Sequence, residues 1–146
     1  MRETKHTFTA AAAALLLALA AGSYVRGSGL DQTGPAPASA AEQLAALKDE
    51  GQTIYNRECA SCHGAEGTGD GAGPALADNS TLSGKEHVIK RILQGDAEHG
   101  MDPFAAVLND RQVAAVATYV RNAWDNSHGA IVEADVKPLR DQLPKK

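Results

Sequence analysis

The two cysteines of this chain stand in one five-residue string, Cys59-Ala60-Ser61-Cys62-His63, and that string constrains the fold more than any other feature. Two residues between the cysteines set their sulfurs one vinyl-to-vinyl distance apart, and the next residue reaches over to the metal. This is the spacing for covalent attachment of a haem of the c type, with Cys59 and Cys62 as the thioether anchors and His63 as an axial iron ligand. Other uses of the pair fit less well. A zinc site needs two further ligands at similar spacing, and the chain has no other cysteine. A thioredoxin-like pair belongs among strands, and none is evident around it.

At 146 residues the chain is one domain with appendages, and Trp124, three tyrosines and two phenylalanines are too few to fill a large core. A cofactor at the centre supplies the missing volume. The formal charge of −4, which two haem propionates would deepen, argues against a nucleic-acid partner.

The N-terminus carries Arg2 and Lys5, an apolar run over residues 10–21, and Ala18-Leu19-Ala20 as an A-x-A cleavage signal. Counted from 8 to 25 the apolar stretch has eighteen residues, just enough to span a bilayer, with Gly22, Ser23 and Tyr24 weakening its second half. Residues 1–26 are therefore a cleaved signal peptide or a retained membrane anchor. Either exports the domain to the periplasm. Residues 27–38, made mostly of Gly, Ser, Pro, Ala and Thr without hydrophobic period, read as a flexible tether.

The folded domain is expected over residues 39–128. Ser39 and Glu42 form a capping box, and Leu44, Ala45, Leu47, Lys48, Gly51 and Tyr55 follow at helical spacing. Gly51 costs on the order of 1 kcal/mol relative to Ala inside a helix, so it needs a packing reason. The stretch 51–64, G-Q-T-I-Y-N-R-E-C-A-S-C-H-G, resembles the start of a class I bacterial cytochrome c domain, and the likeness runs over residues 42–126. The resemblance implies a small all-α fold wrapped around one covalent haem c, attached outside the cytoplasm. It also implies an opening helix that crosses the closing one through Gly51 and Tyr55 against Tyr119.

Residues 64–73 carry five glycines and must form a loop whose backbone runs close to a flat ligand. No Gly-Lys-Ser/Thr ending marks it as a nucleotide loop. In the following G-P-A-L, the resemblance makes the Pro74 carbonyl the acceptor for the second ring N–H of His63 and packs Leu76 on the porphyrin. Ser83 and Glu86 read as a second capping box ahead of a helix through Val88, Ile89, Ile92 and Leu93, closed by Gly95 in the left-handed conformation. His87, in its first turn, reads as a surface residue.

Met101 is the only methionine besides the initiator and lies 38 residues beyond His63, in a Gly/Pro loop rather than on a helical face. It reads as the second axial ligand, with His99 as its competitor. The family commonly has proline directly after this methionine, whereas here Asp102 intervenes and Pro103 stiffens the loop. Asn109 and Gln112 cap a closing helix with Val113, Val116, Ala117, Val120 and Trp124 at helical spacing. Its Y-V-R-N-A-W ending resembles cytochrome domains that accompany periplasmic dehydrogenases. That implies a dehydrogenase as electron donor and an oxidase or another cytochrome as acceptor. Residues 129–146, with Pro138, Pro144 and a Lys145-Lys146 end, read as a partly ordered tail.

A histidine and a methionine together fill both axial positions and leave no open site for substrate. The expected role is single-electron transfer rather than enzymatic catalysis. The alternative is a peroxidase-like or gas-binding protein in which Met101 leaves the iron readily.

Overall fold

A computed structural model describes residues 39–144, all within the unit Ala36–Lys146. The leader read at 1–26, the tether read at 27–38 and the Lys145-Lys146 end lie outside the described residues.

Helix α1, Ala40–Glu58, begins where the sequence expects it. The Ser39 hydroxyl accepts the Glu42 N–H at 3.3 Å, and the Glu42 carboxylate accepts the Ser39 N–H at 2.6 Å. The helix buries Leu47, Gly51, Ile54 and Tyr55 against α4, Asp110–Val120. Asn109 and Gln112 cap α4 reciprocally, and each of its residues from 113 to 120 is buried, which makes it the central helix of the described domain. The crossing point explains Gly51: a Cβ there would lie 2.1 Å from the Ala115 carbonyl oxygen and 2.7 Å from the Tyr119 Cβ. The helical cost of glycine is offset by an approach no other residue permits. Beside it the Tyr55 and Tyr119 rings meet at 5.4 Å.

Three sequence expectations need correction. Helix α4 stops at Val120, so Trp124 does not continue its apolar stripe. Trp124 sits in the turn beyond at φ +52°, with its indole edge-on to Tyr55 and Tyr119 at 5.0 and 5.3 Å. Ser83 and Glu86 do not form a capping box: helix α3, Lys85–Gln94, is preceded by Gly84, with no side chain capping it. Ser83 is instead drawn into a 3₁₀ turn, Ser80–Ser83, whose first N–H groups are satisfied by Asn79, and Glu86 pairs with Lys90 at 2.5 Å. Gly95 closes α3 at φ +70°, but its ψ of −161° lies outside the left-handed helical region. The next residue, Asp96, turns at once into backbone pairing with Met101.

Where the sequence reads as a partly ordered tail, residues 133–141 form helix α5, Glu133–Asp141, packed on α3 and α4. Ile131 and Val136 are fully buried in that contact. The buried Thr118 hydroxyl donates to the Ile131 carbonyl at 3.0 Å and accepts its N–H at 2.9 Å, which fixes the approach to α5. Asp135 accepts from the Val132 N–H and from Lys85 of α3, both at 3.0 Å. Among the described residues there is no strand, only the isolated Asp96–Met101 bridge. No helix among them is long and apolar enough to cross a membrane.

Candidate haem-binding site

Cys59 closes α1 with its N–H on the Tyr55 carbonyl at 2.8 Å, and the rest of the motif is the single turn α2, Ala60–His63. Below it the Tyr55 hydroxyl donates to the Gly64 carbonyl at 2.6 Å, so the buried aromatic cluster also holds the end of the motif. Burial, and to a lesser degree the charges of Glu58 and Cys62, push the Cys59 thiol up to about 12. Neither cysteine is in a disulfide, and the Cys62 side is exposed.

The glycine-rich loop folds back on this turn. Gly69 and Gly73 donate their N–H groups to the carbonyls of His63 and Cys62, each at 2.9 Å. A Cβ on Gly73 would lie 2.7 Å from the His63 imidazole, so glycine is what lets the loop pass along the ring. His63 Nδ1 is 2.8 Å from the Pro74 carbonyl oxygen. A carbonyl can only accept, so Nδ1 carries the proton and Nε2 is the lone-pair nitrogen offered to a metal. Leu76 is held by its N–H on the Gly67 carbonyl at 2.7 Å, and its own carbonyl accepts from Asn126 Nδ2 at 2.8 Å. Asn126 also donates to Val120 and accepts the Asn79 N–H, tying residues 76–79 to the end of α4. This role has no signal in the sequence, because an asparagine in a polar turn looks like an ordinary loop residue.

On the other side, Met101 and Asp96 exchange backbone hydrogen bonds at 2.8 and 2.9 Å. The Asp96 carboxylate takes both Arg91 and His99 Nδ1, the latter at 2.9 Å. Partial burial opposes its charge, yet the His99 hydrogen bond and the Arg91 charge hold this carboxyl below its usual range. The loop then returns to α3 through the Phe104 N–H on the Ile92 carbonyl at 3.0 Å and the Ala105 N–H on the Leu93 carbonyl at 3.3 Å.

These segments enclose one cavity of about 890 Å³. Its lining includes Cys59, Cys62, His63, Pro74, Leu76 and Met101, with Leu82, Val88, Phe104 and Val120 as apolar wall and His87, Arg91 and His99 as polar members. That volume lies at the upper end of the roughly 300–1,000 Å³ typical of ligand sites. Two thiols, an imidazole with its Nδ1 occupied, a thioether and an apolar wall are the donor set and surroundings that a covalent haem requires.

The family described as Cytochrome C oxidase, cbb3-type, subunit III matches residues 46–120, more than half of the chain. The chain belongs to this family of c-type cytochrome domains. Membership carries covalently bound haem c and a place in electron transport with it. The chain is 31% identical over 106 residues to the fructose dehydrogenase cytochrome subunit of Gluconobacter japonicus, covering 62% of this chain and 22% of that protein. It is 34% identical over 83 residues to the cbb3-type cytochrome c oxidase subunit CcoP of Rubrivivax gelatinosus, covering 56% and 27%. The CcoP subunit of Cereibacter sphaeroides is 38% identical over 79 residues, covering 52% and 27%. The chain thus spans about a quarter of the length of these relatives.

Proposed function

We propose that this cytochrome carries single electrons through a haem c anchored by Cys59 and Cys62 and ligated by His63 and Met101. The observation that carries the reading is that both thiols, the imidazole and the thioether line one cavity. The haem, when bound, supplies a one-electron ferric/ferrous couple. Pro74 keeps the proton of His63 on Nδ1, and the bridge to Asp96 fixes the backbone of Met101. His99 is the weaker candidate ligand, since its Nδ1 is engaged by Asp96 and its side chain is 74% exposed. Two protein ligands leave no position for substrate, which favours transfer over catalysis. The names of the relatives support a dehydrogenase as donor and an oxidase or another cytochrome as acceptor.

Potentiometric titration of the holoprotein is expected to give one reversible one-electron transition. Rapid turnover of peroxide or binding of dioxygen by the reduced form would instead mark an open iron site. The leader at 1–26 places the domain on the outer side of the cytoplasmic membrane, in the periplasm, free or anchored. Mass spectrometry of the N-terminus decides between the two: a start at Ala21 shows cleavage, and an intact leader in the membrane fraction shows the anchor. Haem-free protein in the cytoplasm would contradict export.

A further inference from the structure

We propose that Arg140, on helix α5 beyond the stretch that matches the family, is a positioning residue that holds the Met101 loop in place. This rests on the reading of Met101 as an axial ligand. The backbone of Met101 is paired with Asp96, whose carboxylate takes Arg91 of α3, so the turn 96–101 is tied to α3 at its upstream end and the chain that follows has to hold the other end. That following chain, residues 102–109, has no regular secondary structure, and Val107 at its tip is 58% exposed. Asp102 also separates Met101 from the stiffening effect of Pro103.

Arg140 divides its guanidinium between this segment and the first residue of α4. Nη1 donates to the Ala105 carbonyl at 2.5 Å, Nη2 to the Leu108 carbonyl at 2.7 Å, and Nε to the Asp110 carboxylate at 2.5 Å. Ala105 is thereby pinned from both sides, its N–H on Leu93 of α3 and its carbonyl on α5. A rigid planar fork meets three acceptors in fixed directions, which a flexible ammonium cannot do. The fork has a firm base, since Val136 is fully buried and Asp135 is bonded to Lys85. The pair is also partly shielded, with Arg140 and Asp110 side chains 24% and 27% exposed, so solvent screens it less than an open surface pair.

The test measures carbon monoxide association with the reduced holoprotein, together with the red absorption band of a sulfur-ligated ferric haem, in Arg140→Ala and Arg140→Lys. Measurements are made at a temperature where circular dichroism shows every variant folded. Arg140→Ala is expected to bind carbon monoxide roughly tenfold faster than the native protein, the size of effect one charge-assisted hydrogen bond supports, and to lose part of the band. Arg140→Lys should lie between the two. Leu47→Ala, which removes a buried side chain of α1 outside the cavity and away from both α5 and the loop, should lower the melting temperature and leave both readouts native. A native rate and band in Arg140→Ala, or equal acceleration in Leu47→Ala, overturns the proposal while leaving Met101 as ligand. Should the alanine variant not fold, the lysine variant decides alone: faster than native supports the strap, a native rate overturns it. Native protein that already binds carbon monoxide as fast as Met101→Ala sinks the ligation reading itself, whatever the Arg140 variants do.

Discussion

Protein with both Cys59 and Cys62 replaced by alanine is expected to release all of its haem in denaturing electrophoresis and to lose most of its helical circular dichroism at moderate temperature. The first loss follows from bonding, because thioethers survive conditions that break coordination bonds. The second follows from packing. The cavity of about 890 Å³ has Leu76, Leu82, Val88 and Phe104 on its wall, and without a cofactor that wall loses its packing partner. The core of α1, α4 and α5 is buried elsewhere and cannot close on this wall, so holding the cofactor and holding the fold around it are linked. The crossing of α1 and α4 at Gly51 does not involve the cavity, and the residual helical signal should come from that pair. A haem-free variant with the native melting curve would contradict the cofactor's role as core.

Met101→Ala is expected to turn an electron carrier into a ligand binder. With Met101 as the proposed ligand, its thioether would have to be displaced before an external ligand reached the iron, whereas in the variant that position would be open. Carbon monoxide should then bind the reduced form roughly a hundredfold faster, the ratio that about 2.7 kcal/mol of bond strength imposes. The midpoint potential should fall as well, since a soft sulfur ligand favours the ferrous state. His99 is the side chain placed to rescue the variant, being two residues away and in the lining of the same cavity. His99→Ala alone should leave ligation and potential nearly native, because His99 is turned to Asp96. A potential that falls in His99→Ala and holds in Met101→Ala would exchange the roles of the two residues.

What the sequence disclosed follows the range of each interaction. The capping boxes at Ser39 and Asn109 are reciprocal bonds across three residues, and both are present. The same pattern at Ser83 fails because Asn79 claims the turn before it, a competition that a three-residue spacing does not reveal. Gly51 was legible through its helical cost, which demands a close contact. The six residues nominated for the site line one cavity because two motifs carry most of them: the C-x-x-C-H string, and a lone methionine set in a loop. Trp124 lies in phase with the α4 stripe, yet the chain leaves the helix at Val120 and the ring reaches the same aromatic cluster from a turn. Helix α5 was hidden by Pro138 and a charged composition, and its anchor, Thr118 on Ile131, spans thirteen residues. Asn126 and Arg140 act over fifty and thirty-five residues on backbone carbonyls, which have no sequence signature at all.

Whether the Met101 sulfur is bound to the iron can be read from proton magnetic resonance of the reduced native protein. The chain has two methionines, Met1 and Met101, so a sample labelled at the methionine methyl groups gives at most two signals. A methyl group held on the axial sulfur lies against the face of the porphyrin, where the ring current shifts its resonance far upfield of every ordinary methyl. One such strongly shifted methyl is expected in the native protein, absent from Met101→Ala and retained in His99→Ala. Native protein whose labelled methyl groups all resonate in the ordinary range would contradict this ligation.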